Sequence, residues 1–113
     1  MKDDTLRQLR AANLKRHQEW AGGNDLPLSF RGVELAGEAG EACNEIKKLC
    51  REQLGIRGGK TDTADLAEEL ADVIVCCDLI AMDLEIDLRA AIEAKFNATS
   101  EKLGLQTRFG DSE

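Results

Sequence analysis

Four carboxylates at helical spacing are the residues of this chain best placed to do chemistry. Glu38 and Glu41 stand three apart, as do Glu69 and Asp72, with 27 residues between Glu41 and Glu69. Residues three apart on an α-helix share a face on adjacent turns, so each pair projects into one space. Glu34 and Glu45 extend the first pair, and Glu34, Glu38, Glu41 and Glu45 together fall within about 60° of arc. Like charges at this spacing cost roughly 0.2–0.5 kcal/mol per exposed pair. Beside Glu69 and Asp72 the same angular count places Cys76 and Leu79, apolar neighbours that solvate charge poorly. Carboxylates in such a setting require protons, basic partners or metal to offset them. An oxygen-only ligand set suits a hard cation such as Mg²⁺ or Mn²⁺ rather than zinc or copper. Glu34, Glu45, Glu52 and Glu68, taken singly, also fit an ordinary solvated face.

The elements that must position these residues are helices. One proline in 113 residues and the absence of alternating β-branched runs predict an all-α chain, a four-helix bundle in one domain over residues 1–113. The first helix is predicted from about Asp4 to Trp20, ending at Gly22-Gly23, and the second from an N-cap at Ser29 to about Gln53. The third runs from Asp62-Thr63 to near Leu84, and the fourth from a cap at Asp87 to about Leu103. The tail from Gln106 to Glu113 reads as weakly ordered. Gly37 and Gly40 lie inside the second helix, each costing roughly 1 kcal/mol against alanine, as expected where a backbone or ligand comes close. On the third helix Leu66, Leu70, Val73, Ile74, Cys77, Ala81 and Leu84 form one stripe, yet Val75, Cys76 and Leu79 cover much of the other side. Asp78 is the single charge between Val73 and Met82. A helix apolar on several faces needs more cover than a monomer of this size supplies, so a homodimer or homotetramer is expected.

Composition excludes other classes. With 22 acidic and 15 basic residues the net charge is −7, which argues against nucleic-acid polymers and anionic membranes as partners. No stretch approaches 18 apolar residues and the segment from Met1 to Arg10 has no apolar run, so the expected location is the cytoplasm, a host's cytoplasm if the chain is viral. Cys43, Cys50, Cys76 and Cys77 form no CxxC pair and His17 is the only histidine, so a structural zinc site is not expected; the cysteines read as small buried apolar side chains kept reduced and His17 as a helix-surface residue. Gly59-Lys60-Thr61 imitates the end of a phosphate-binding P-loop, but Leu54 replaces its first glycine and a helix precedes it where a strand is required. This connection is expected to be mobile, able to close over a ligand with Arg57 or Lys60.

Leu35-Ala36-Gly37-Glu38-Ala39-Gly40-Glu41, then Ile46-Lys47-Lys48, then Leu66 to Val73 with its Glu69-Leu70-Ala71-Asp72, resembles the MazG-like all-α nucleoside triphosphate pyrophosphohydrolases, whose hallmark is ExxE followed by ExxD. The segment from Lys95 to Lys102 is similar to the C-terminal helix of phage and bacterial members, and short phage forms acting on dGTP give the nearest likeness. The resemblance implies cleavage between the α and β phosphates to give a monophosphate and diphosphate. It also implies two or three Mg²⁺ ions on Glu38, Glu41, Glu69 and Asp72, with Glu34 an outer partner or further ligand, and with Glu41 or Glu38 activating water. Lys95 and Lys102 would face the phosphates with Asn97 beside them, unless the lysines form a solvated face. Trp20 and Phe30 would stack on the base, or else serve as core anchors. The motifs do not read out a base: dGTP or GTP follows from the phage likeness, dUTP or dCTP from other members. A non-catalytic helical protein with an acidic groove for a basic partner is the alternative from another class.

Overall fold

The computed structural model describes residues 4–59 and 61–110. These form four α-helices and no strand: α1 (Thr5–Ala21), α2 (Leu28–Gln53), α3 (Thr63–Asp83) and α4 (Leu88–Lys102). Gly22 ends α1 in the left-handed region at φ 62°, where glycine meets no Cβ penalty, and its N–H donates to the Gln18 carbonyl at 3.0 Å. Asp62 and Asp87 cap α3 and α4, each carboxylate accepting from the backbone N–H three residues on, Asp65 at 3.0 Å and Ala90 at 3.1 Å.

Two expectations change here. Ser29 does not cap α2: Pro27 holds that position, extended at φ −61° and ψ 146°, and Ser29 lies inside the first turn. Proline's fixed φ and missing N–H cost nothing where a helix's first donors have no partner anyway, so the chain turns helical immediately after it. The tail is tied down as far as Gly110. The Asn97 amide donates to the Phe109 carbonyl at 3.0 Å and its oxygen accepts the Phe109 N–H at 2.7 Å, while the Phe96 and Phe109 rings meet at 6.0 Å with Arg89 over the latter. Residues 111–113 lie outside the described residues.

The main interface is α2 against α3; α1 packs on α3, and α4 meets α1 more sparsely. Within one chain Ala42 and Ala81 are the fully buried apolar side chains among the described residues, whereas Asn13, Arg31, Asp78 and Ser100 are buried polar ones. Asp78 joins α1 to α3 by accepting from Arg10 and Asn13, and Arg31 joins α2 to the end of α3 through Asp83 at 2.8 Å. Leu70, Ile74 and Leu84 of the α3 stripe stay about half exposed, as do Ile46 and Phe96, and of the four cysteines expected to be buried Cys43 and Cys50 are exposed and Cys76 and Cys77 half-buried in one chain. The accessible surface of 8459 Å² is more than a third above the roughly 6,100 Å² expected of a compact monomer of this mass. The radius of gyration is 17.4 Å against about 13 Å for a compact chain of this length.

The α2–α3 connection is seated rather than loose. The Ile56 N–H donates to the Arg51 carbonyl at 2.8 Å. Gly59 is buried so closely on the end of α2 that a Cβ there would stand 2.4 Å from the Glu52 backbone nitrogen. The Thr61 hydroxyl donates to Glu45, which also pairs with Lys48. These hydrogen bonds, Thr61 first, hold the Glu45 carboxyl below its ordinary range. Gly59 thus serves close packing, whereas Gly55 and Gly58 take the positive φ of 69° and 88° that the turn requires, and Arg57 is exposed; Lys60 lies outside the described residues.

Candidate metal and nucleotide site

The pairing of α2 with α3 brings the two acidic motifs face to face. Carboxylate oxygens of Glu38, Glu41 and Glu69 lie within 4.8 Å of one another. Asp72 lies close enough to Glu38 and Glu69 for its charge to act on both carboxyls. The helices therefore gather the four carboxylates at the α2–α3 interface. Glu38 and Glu69 are half-buried, and Glu41 and Asp72 open to solvent.

Such crowding is paid for in proton affinity. The hydrogen bond with Glu41, then desolvation, then the charges of Glu41, Asp72 and Glu38 push the Glu69 carboxyl up to about 7. Desolvation and the charges of Asp72, Glu41 and Glu34 raise Glu38 above its ordinary value as well. Burial, followed by the charges of Glu34, Glu38 and Asp72, raises the neighbouring Cys76 thiol, which stays protonated. One oxygen on Glu38 and one on Glu69 are buried without any protein hydrogen-bond partner. A divalent cation fits this arrangement. Magnesium–oxygen bonds of about 2.0–2.1 Å place ligand atoms about 3–4 Å apart, and the orphaned oxygens point to a missing positive partner.

One turn before Glu38 on α2, a cavity of about 270 Å³ opens between α1, α2 and α3, lined by Asn13, Arg16, His17, Trp20, Arg31, Glu34 and Leu79. Trp20 lines it, and the Phe30 ring lies 6.3 Å from the Trp20 ring, tilted by 32°. Both rings are exposed in one chain, so neither is a core anchor there. His17, expected at the helix surface, turns its Nδ1 inward with no hydrogen-bond partner. Glu34 faces this cavity and lies outside the three-carboxylate cluster.

The sequence-family comparison agrees with this geometry. The MazG nucleotide pyrophosphohydrolase domain matches residues 32–108, which include both acidic motifs. The chain belongs to the MazG family. No curated protein matches it, and no solved structure does.

In this MazG chain the α4 residues lie outside the carboxylate cluster. Lys95 stands in an open groove of α4 beside Ile92, Phe96 and Leu105, and Lys102 is exposed in the last turn. Asn97 holds the tail backbone at Phe109 through its amide oxygen and one amide N–H, which leaves its second N–H as a donor. Arg31, Asn13, Arg16 and His17 are cavity residues that the sequence reading did not single out. Isolated polar positions on helices carry no spacing signal, and the partners of Arg31 and Asn13 lie 52 and 65 residues away.

Proposed function

We propose that this MazG protein is a Mg²⁺-dependent nucleoside triphosphate pyrophosphohydrolase, converting a (d)NTP and water to (d)NMP and diphosphate. The observation that carries the reading is the carboxylate cluster between α2 and α3, where oxygens of Glu38, Glu41 and Glu69 lie within 4.8 Å of one another and Asp72 acts on Glu38 from beside them. Glu38, Glu41, Glu69 and Asp72 would hold two or three Mg²⁺ ions, with Mn²⁺ as a substitute. Bound metal would lower the pKa of a water nucleophile and offset the charge of the triphosphate and of the departing diphosphate. Glu41 or Glu38 would orient that water and accept its proton. Trp20 would stack on the base in the adjoining cavity, with Phe30 bracing it. The preferred substrate is dGTP or GTP, and the role is to shape the nucleotide pool of the cytoplasm.

The active form is a homodimer or homotetramer. The surface excess of roughly 2,400 Å² per chain is on the scale that a permanent interface buries. A second copy laid against the apolar groove of α4 would also bring Lys95 and Lys102 toward phosphates bound on a neighbour's α2–α3 pair. Sedimentation equilibrium should give a mass at least twice 12.4 kDa; a monomer at micromolar concentration would overturn the assembly.

The reaction is tested with a panel of (d)NTPs and Mg²⁺, the products separated by chromatography. Monophosphate and diphosphate in equal amounts, abolished by a chelator, are expected. Nucleoside diphosphate with orthophosphate, or no turnover of any nucleotide, would refute the proposal.

A further inference from the structure

The cavity beside the carboxylates holds a donor and an acceptor side by side, each with an atom left over. Arg31 is 3% exposed. Its Nε donates to Asp83 at 2.8 Å, and its Nη1 stands 3.7 Å from Glu34 Oε1, beyond hydrogen-bond length. Its Nη2 is buried with no partner, and so is Glu34 Oε1. A buried guanidinium nitrogen without an acceptor is costly in a monomeric protein unless something else supplies one. Both groups line the same cavity as Trp20, and Leu79 gives it an apolar wall.

We propose that Arg31 and Glu34 are the specificity-determining residues of the site, reading the Watson–Crick edge of guanine. This rests on the nucleotide reading above and extends it to the base. Guanine presents a carbonyl oxygen, a ring N–H and an exocyclic amine in a row. Arg31 Nη2 donates to the carbonyl, and the Glu34 carboxylate accepts from the two N–H groups. Adenine offers an amine where Arg31 requires an acceptor, and a bare ring nitrogen where Glu34 requires a donor, so two buried contacts turn repulsive. Cytosine fails in the same way. Trp20 supplies a stacking face that every base can use and so adds affinity without selectivity. The cavity volume of about 270 Å³ admits a bicyclic base, and His17 Nδ1 leaves one further polar contact for base or sugar.

The test compares kcat/KM for dGTP, dITP, dATP and dCTP with Mg²⁺ in the wild type and in Glu34→Gln, with Arg31→Met as a second variant checked for helicity. The wild type is expected to favour dGTP over dATP by about a hundredfold or more, with dITP between them because it lacks the amine. In Glu34→Gln the dGTP-to-dATP ratio should fall at least about tenfold, with the change in KM rather than kcat. An equal loss on all four substrates would mean that Glu34 serves the metal and would overturn the assignment. A wild type that hydrolyses all four alike would overturn it too, while leaving the pyrophosphohydrolase reading intact. Only the absence of any hydrolysis would count against that reading itself. If Arg31→Met does not fold, Glu34→Gln and the dITP comparison still decide.

Discussion

Glu69→Gln is expected to lower nucleotide hydrolysis by at least about a hundredfold without reducing helicity. Even outer-shell partners of a metal are worth about 10–100-fold, and Glu69 stands in the carboxylate cluster proposed to hold it. Asp72→Asn should act in the same direction. The substitution has a second consequence that a generally damaging change would not have. With its folded value pushed up to about 7, against about 4.3 in an unfolded chain, Glu69 holds more proton in the native state than in the unfolded state across that window. The contribution of Glu69 to the stability of the metal-free protein is therefore fully present below about pH 4 and is lost as pH climbs through 7. Glu69→Gln removes the repulsion, so the metal-free variant should melt higher than the wild type at pH 8 while having lost activity. Mg²⁺ should raise the wild-type Tm most at high pH, where the ligands have shed their protons, and the variant's least. Melting curves with chelator and with Mg²⁺ between pH 5 and pH 8 measure both effects. Full activity in Glu69→Gln, or a metal-free wild type whose Tm does not fall across this range, would sink the account of the site.

Much of this site is legible because its determinants are local. Two motifs at i, i+3 spacing place their carboxylates without any knowledge of the tertiary fold, and Asp62, Asp87 and Gly22 announce helix ends through chemistry confined to one turn. The cavity is different. Nothing local in the sequence marks Arg31 in the first turns of α2, and only the fold brings it to Asp83, 52 residues on. Asn97 reads as a phosphate contact because of the company it keeps on α4, and nothing local in the sequence shows that the tail returns 12 residues later to pair with its amide. Ser29 has good capping chemistry and loses to Pro27, whose backbone is already set for the turn. Asp78 lies between these cases. A lone charge in an apolar run signals a buried carboxylate, though the sequence does not name the α1 groups that meet it.

Those groups make Asp78→Ala the substitution expected to cost the fold most. The carboxylate is 1% exposed and accepts from Arg10 Nε at 3.1 Å and from Asn13 Nδ2 at 3.0 Å. Arg10 reaches past it to the Ile86 carbonyl at 2.8 Å, so one ion pair fastens the middle of α1 to α3 and to the α3–α4 turn. Alanine leaves Asn13, itself 2% exposed, without its acceptor and strands a half-buried guanidinium. Breaking a buried pair from one side costs about 3–5 kcal/mol, a large part of the 5–15 kcal/mol that holds a domain of this size together. At roughly 4 °C or more per kcal/mol, Tm should fall by about 12 °C or more at matched protein concentration. Asp78→Asn, which keeps the shape and one acceptor, should fall less. The functional effect should be selective. Asn13, His17 and Trp20 reach the cavity from α1, whereas the carboxylates sit on α2 and α3 and depend on neither. In Asp78→Asn, KM for the nucleotide should therefore rise while Mg²⁺ still raises Tm. A Tm loss in Asp78→Ala of under about 3 °C would show that α1 is held chiefly by contacts other than this ion pair.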